Sequence, residues 1–74
     1  GENVYPGEVE RLIERHPDVL EVAVVPVADE VRGQMPVAFV VTRPGAALVE
    51  QDVKDYVLQR AAPYLHPRRV WFLD

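Results

Sequence analysis

Two apolar runs rich in β-branched residues constrain this chain more than any other feature of its sequence. The first covers residues 19–27 and the second covers residues 35–42, with a polar connection that contains Gly33 between them. The nearly continuous apolar character of the first run predicts a strand that is covered on both faces or central in a sheet. A third strand is predicted at residues 69–73, and the segment Arg43-Pro44-Gly45 predicts a turn after the second strand.

An amphipathic helix is predicted before the first strand. Val9, Leu12 and Ile13 are spaced i, i+3 and i+4, so they share one side of a helix whose other side is charged. Pro6 suits the first turn of this helix, because its missing N–H would have had no partner there. Pro17 ends the helix, since the residue before a proline is pushed out of the helical region.

A second helix is predicted from Val49 to about Ala62. Its apolar side is formed by Val53, Tyr56, Val57 and Ala61. A weak N-terminal cap is expected, because the Val49 side chain cannot accept a hydrogen bond from the first N–H groups of the helix.

The order helix, strand, strand, helix, strand predicts an α+β fold with two helices packed on a small three-stranded sheet. We expect the 74 residues, 49% of them hydrophobic, to form one small globular domain. The absence of cysteine excludes disulfides and thiolate zinc sites and favours a reducing compartment, so a cytoplasmic location is expected. No membrane span is expected, because no apolar run approaches the roughly 20 residues that cross a bilayer.

Charge and residue types exclude several functions. The formal net charge of -4 argues against nucleic-acid binding through a general basic surface. Neither a Ser-His-Asp nor a Cys-His arrangement exists, because serine and cysteine are both absent. His16 and His66 lack metal-ligand spacing, so no metal site is expected and His16 is assigned a structural or surface role. The adjacent Arg68 and Arg69 either serve one phosphorylated ligand or are solvated surface charges.

Several short motifs occur in a fixed order along the chain. They are Gly1-Glu2-Asn3-Val4-Tyr5-Pro6 followed by Glu8 and Glu10, His16-Pro17, Asp29-x-x-x-Gly33-Gln34, Pro36-Val37-Ala38-Phe39-Val40-Val41, Pro44-Gly45, and Pro67-Arg68-Arg69-Val70 with Phe72. This series resembles the C-terminal domain of AMP-forming acyl-CoA synthetases of the adenylate-forming superfamily. The resemblance extends over essentially the whole chain.

The resemblance implies a mobile lid that closes over an N-terminal adenylating domain of the same protein. In that family ATP, with Mg, and a carboxylic acid form an acyl-adenylate, and coenzyme A (CoA) then attacks it to give acyl-CoA. The resemblance further implies a domain truncated at both ends, because the hinge residue would precede Gly1 and the adenylation lysine would follow Asp74. Lys54 lies in the middle of a predicted helix and does not match that lysine, so no catalytic residue is expected here. We expect these residues alone to be inactive and to bind neither ATP nor CoA tightly.

The resemblance also implies binding residues for CoA. Gly1, Glu2 and Asn3 match the loop that lines the pantetheine tunnel, where a glycine allows close approach of the backbone to a thin ligand. A second group matches positions that hold the nucleotide end of CoA in some relatives: Arg32, Tyr64, His66 and Arg68. This sequence departs from those relatives at Arg32, where some carry tryptophan, and at Leu65, where lysine is frequent. For Tyr64, a packed aromatic ring is the alternative to a ligand contact.

A different class of function is a stand-alone small α+β module that binds a ligand or pairs with another protein. This alternative predicts saturable binding of a small ligand, or a stable homodimer, by the 74 residues alone. A third alternative is an interaction protein that uses a sheet edge and binds a partner other than an adenylating domain.

Overall fold

A computed structural model describes residues 6–31, 33–61 and 67–73 of the chain. Its elements follow the order helix α1 (Pro6–Glu14), strand β1 (Val19–Asp29), strand β2 (Gly33–Thr42), helix α2 (Glu50–Arg60) and strand β3 (Arg69–Leu73). The predicted α+β class, its two helices and its three strands are therefore confirmed.

The three strands form one mixed sheet in the order β1-β2-β3. Strands β1 and β2 form an antiparallel hairpin in which Asp29 pairs with Gly33 and Val24 pairs with Ala38. Strand β3 lies parallel to β2, with Val70 opposite Ala38. We call the part of the sheet where β1 ends, β2 begins and the chain enters β3 the hairpin end.

Both helices lie on one face of the sheet within the part of the chain that is described. The predicted stripe of α1 is confirmed, because Val9 and Ile13 are buried and Leu12 packs against them. Helix α1 packs against β1, and α2 contacts both α1 and β3. The core contains aliphatic side chains from all five elements: Val9, Ile13, Val19, Val24, Ala38, Val40, Val53, Val57 and Val70.

The prediction that the first strand is central or covered on both faces is wrong. Strand β1 is an edge strand, and its residues Ala23 and Val25 are exposed. The central strand is β2, in which Val37, Ala38 and Val40 are all buried. A continuous apolar run shows that a segment favours a strand, but its place in the sheet depends on pairing with distant residues.

The turn predicted after β2 at Arg43-Pro44-Gly45 is present. The N–H of Ala46 donates to the carbonyl oxygen of Arg43 at 3.0 Å, which closes a four-residue turn around Pro44 and Gly45. Gly45 has a φ of 85°, as the third position of a type II turn requires. The N–H of Arg43 also donates to the backbone carbonyl oxygen of Asp18 at 2.9 Å, so the turn is attached to the segment between α1 and β1.

Helix α2 is shorter than predicted, and its weak cap is compensated. It ends at Arg60, while Ala62 lies outside the described residues. Val49 provides no side-chain cap, as expected. Instead, the Val49 N–H donates to the Asp52 carboxylate at 2.9 Å, and this places negative charge near the positive end of the helix dipole.

Neither of the two described helices is long and apolar enough to cross a membrane.

Candidate functional site

The hairpin end contains the one predicted CoA-binding residue that the structure describes, Arg68. The other six lie outside the described residues, and their assignments stay predictions: Gly1, Glu2, Asn3, Arg32, Tyr64 and His66.

Arg68 combines a fixed backbone with an exposed side chain. Its N–H donates to the carbonyl oxygen of Pro36 at 2.8 Å, and the preceding Pro67 is fully buried. The side chain is 61% exposed, and its Nη1 lies 3.9 Å from Oδ2 of Asp29. The fold therefore presents a guanidinium group to solvent from an anchored position.

Asp29 is a residue of the candidate site that the sequence did not predict, because it contacts Arg68. It is the last residue of β1, and its Oδ1 accepts a hydrogen bond of 2.9 Å from the N–H of Val31, two residues later in the hairpin connection. Its side chain is 18% exposed, so this carboxylate is largely enclosed. Asp29 stands in the motif Asp29-x-x-x-Gly33, which is the sequence signal that marks it. The motif does not predict the contact with Arg68, because the two residues are far apart in sequence.

The adjacent Arg68 and Arg69 have different partners. The Nε of Arg69 lies 2.9 Å from Oε2 of Glu50, and its guanidinium lies 4.8 Å from the centre of the Trp71 ring. Arg69 is therefore held by α2 and by its own strand, whereas Arg68 contacts the hairpin. Of the two arginines, Arg68 is the better candidate for a phosphorylated ligand.

Two helix carboxylates occupy the outer edges of the sheet. Oε2 of Glu10 in α1 accepts a hydrogen bond of 2.8 Å from the N–H of Val24 in β1. Oε2 of Glu50 in α2 accepts one of 2.9 Å from the N–H of Val70 in β3. Unpaired edge N–H groups would be available to another strand, so these carboxylates restrict edge pairing at both sides of the sheet.

The environment of Glu50 favours its ionised form. The hydrogen bond from the Val70 N–H is the largest cause that lowers the pKa of Glu50, and burial, the next largest, opposes it. The charges of Arg69 and Lys54 lower the pKa further. The Lys54 Nζ lies 3.9 Å from the same carboxylate oxygen. Glu50 is therefore a structural anion that joins α2 to β3.

An open cleft of about 640 Å³ lies away from the hairpin end. Its charged lining contains three carboxylates and one arginine: Asp18, Asp52, Asp55 and Arg60. The Arg60 guanidinium stacks 3.9 Å from the centre of the Tyr56 ring. Because carboxylates predominate, this cleft does not suit a polyphosphate ligand.

His16 lines the same cleft and makes structural contacts. Its Nδ1 accepts a hydrogen bond of 3.0 Å from the Asp18 N–H, and its ring centre lies 4.9 Å from that of Tyr56. No group of three His, Cys, Asp or Glu side chains within residues 6–31, 33–61 and 67–73 has the geometry of a metal site.

Two helices on one face of a three-stranded mixed sheet, with an anchored arginine at its hairpin end, define a small α+β domain. Residues 8–74 match the family model described as the AMP-binding enzyme C-terminal domain. The chain belongs to this family, and the resemblance seen in its motifs is confirmed.

Curated and solved relatives agree with this assignment. Over 74 residues, the chain is 46% identical to 4-coumarate–CoA ligase-like 6 of Oryza sativa subsp. japonica, covering 100% of the chain and 12% of that relative. The structure of ATP-bound MatB from Rhodopseudomonas palustris is 36% identical with a TM-score of 0.91, covering 100% of this chain and 15% of MatB. A fatty acyl CoA synthetase of Mycobacterium tuberculosis is 41% identical with a TM-score of 0.86, covering 99% of this chain and 14% of the synthetase. The chain thus spans about one seventh of the length of these proteins.

Proposed function

We propose that this chain is the C-terminal lid domain of an AMP-forming acid–CoA ligase. The overall reaction converts ATP, a carboxylic acid and CoA to acyl-CoA, AMP and diphosphate. The anchored, exposed Arg68 at the hairpin end is the observation that carries the CoA assignment, because a guanidinium group is a strong partner for phosphate oxygens. Membership of the AMP-binding enzyme C-terminal domain family supports the adenylating part of the reaction.

The proposed reaction has two steps. The carboxylate of the acid attacks the α-phosphorus of ATP, and diphosphate leaves to give an acyl-adenylate. The CoA thiol, losing its proton, then attacks the acyl carbon, and AMP leaves. An N-terminal adenylating domain of the same protein binds ATP and the acid, and this chain closes over it for the second step.

The proposed roles of the lid residues concern CoA. Gly1, Glu2 and Asn3 line the route of the pantetheine arm, which brings the thiol to the acyl carbon. The nucleotide end is bound by a second group: Arg32, Tyr64, His66 and Arg68. Holding both ends of CoA converts the thiol attack into a reaction between positioned groups.

A chimeric enzyme tests this proposal. In the Mycobacterium tuberculosis fatty acyl CoA synthetase, the segment that matches this chain is replaced by residues 1–74, and the rest of that synthetase is kept. We expect the fatty acyl CoA synthetase chimera to form fatty acyl-CoA, measured by chromatography, and to catalyse ATP–diphosphate exchange. Exchange without thioester formation would contradict the assignment to a CoA ligase.

The same replacement in the R. palustris MatB provides a second host, with that enzyme's own acid as substrate. Circular dichroism and a thermal unfolding transition establish that each chimera is folded. Two folded chimeras that both lack thioester formation would overturn the proposal.

The tunnel assignment is tested separately in the fatty acyl CoA synthetase chimera. Gly1→Trp should reduce thioester formation by about 100-fold, because displacement of the reacting groups by roughly 1 Å has an effect of that size. Gly7→Trp is the matched control, since Gly7 lies in α1 with no atom within 4 Å of an added Cβ. If Gly1→Trp leaves thioester formation intact, the tunnel assignment is wrong.

The stand-alone module is the alternative, and the isolated 74-residue chain distinguishes the two. Isothermal titration with CoA should show weak or absent binding, because the lid supplies only part of the site. Sedimentation should not show a stable homodimer. Saturable binding of CoA or stable dimerisation by these residues alone would favour the independent module.

A further inference from the structure

We propose that Asp29 is a positioning residue for Arg68, which it orients toward a phosphate group of CoA. This inference rests on the proposed function, because Asp29 is proposed to act through the binding of CoA by Arg68. The pair joins the end of β1 to the residue just before β3, two parts of the chain that meet only in the folded sheet.

Asp29 is suited to orient another side chain because it is itself held. One carboxylate oxygen, Oδ1, accepts the hydrogen bond from the Val31 N–H at 2.9 Å. The other oxygen, Oδ2, lies 3.9 Å from Nη1 of Arg68. The backbone of β1 and the turn that follows it therefore fix the carboxylate that faces the guanidinium group.

Arg68 retains donors for a ligand while it contacts Asp29. A guanidinium group has five N–H donors, and the long contact with Asp29 involves one terminal nitrogen. The backbone of Arg68 is fixed by the Pro36 carbonyl, so the side chain is the mobile part. An ion pair that limits its rotamers before CoA arrives reduces the entropy lost on binding.

Asp29 also carries a negative charge, which opposes the approach of phosphate. The guanidinium group is more accessible to a phosphate ligand than the carboxylate is, because the Arg68 side chain is 61% exposed and the Asp29 side chain is 18% exposed. The hydrogen bond from Val31 further offsets the carboxylate charge. We therefore expect orientation of Arg68 to outweigh repulsion of the ligand.

The test uses Asp29→Asn in the fatty acyl CoA synthetase chimera. Asparagine keeps an oxygen that accepts from the Val31 N–H and removes the charge that holds Arg68. We expect KM for CoA to rise by about 2- to 5-fold, the range that corresponds to an exposed ion pair. Reaction with pantetheine, which lacks the nucleotide phosphates, should be unchanged. Glu21→Gln, at an exposed carboxylate on β1, is the matched control and should leave KM for CoA unchanged.

A double variant, Arg68→Gln with Asp29→Asn, separates the orientation of Arg68 from other effects of the Asp29 charge. In an Arg68→Gln background, Asp29→Asn should produce no further rise in KM for CoA, because the group it orients is gone. A fall in KM for CoA would show that repulsion dominates, and an equal loss with pantetheine would show a structural role. Either result, or a rise that persists without Arg68, would overturn the inference.

The chimera without substitutions distinguishes this inference from the proposed function. If that chimera forms no thioester, the proposed function fails. If it forms thioester at a rate similar to that of the parent synthetase and Asp29→Asn has no effect on KM for CoA, only the positioning role fails.

Discussion

Single residues in this chain have roles that follow from backbone geometry and charge. Gly45 adopts a φ of 85° in the turn after β2, a conformation that residues with a Cβ rarely adopt. Glu50 accepts a hydrogen bond from the Val70 N–H and is paired with two cations, Lys54 and Arg69. Both residues lie outside the hydrophobic core. A substitution at Gly45 should affect stability through backbone conformation, and one at Glu50 through charge.

Replacing Gly45 with alanine should destabilise the chain by about 1–2 kcal/mol, the cost of placing a Cβ in the left-handed region. Gly7→Ala is the matched control, because Gly7 lies in the first turn of helix α1 without a positive φ, and its replacement should change stability by less than about 0.5 kcal/mol. Urea denaturation followed by circular dichroism measures both changes. Equal effects at the two glycines would contradict the conformational explanation.

The lowered pKa of Glu50 predicts a stability that depends on pH. Its pKa in the folded chain lies below the unfolded value, which is about 4.3 for glutamate. Ionised Glu50 therefore stabilises the fold above about pH 4.3, and this contribution is lost as pH falls through the folded pKa. Glu50→Gln should lower Tm at pH 7, and its difference from the parent chain should shrink on acidification.

Thermal unfolding between pH 3 and pH 7 measures this dependence. Glu21→Gln is the control for Glu50→Gln, because it removes one exposed carboxylate from β1. If the Tm difference caused by Glu50→Gln stayed constant down to pH 3, the ionised carboxylate would not be the stabilising species.

At the level of elements, each helix covers the core and also contacts one edge of the sheet. Glu10 connects α1 to β1, and Glu50 connects α2 to β3. Each contact occupies an N–H group of an edge strand, and this disfavours pairing with other chains there.

Glu10→Ala should destabilise the chain by about 1.5–3 kcal/mol, because the Val24 N–H loses a charged acceptor. Glu14→Ala is the control on the same helix, since Glu14 is exposed, and should change stability by less than about 0.5 kcal/mol. Urea denaturation gives the stability of both variants. A loss no larger than that of Glu14→Ala would show that the edge contact adds little.

The described part of the molecule depends on a small aliphatic core beneath two helices. Ile13 is 1% exposed and belongs to the set of largest buried side chains. Domains of this length have total stabilities of about 4–11 kcal/mol, so a single cavity removes a large part of the total. The opposite face of the sheet leaves Trp71 and Leu73 about half exposed within the described part of the chain.

Ile13→Ala should therefore cost about 2–5 kcal/mol and lower the urea midpoint strongly. Leu20→Ala is the matched control, because Leu20 lies in β1 with 51% of its surface exposed and should have a much smaller effect. Similar losses at the two positions would indicate that the exposed side of β1 is covered in solution.

The sequence by itself determined the local features of this protein. Periodic apolar residues located α1, β-branched runs located the strands, and Pro44-Gly45 predicted the turn, because each depends on neighbours within a few residues. The ordered motifs also identified the family, since they extend along the chain and need no knowledge of contacts.

Tertiary structure alone decided which strand is central and which residues meet at the candidate site. The sequence of β1 is typical of a buried strand, yet β1 lies at an edge of the sheet. Strand β3 pairs parallel to β2. Asp29 meets Arg68, and Glu10 meets Val24, only after the sheet has formed. These arrangements were not predictable from local pattern, because the energy of a strand pair or an ion pair depends on residues that the chain brings together from far apart.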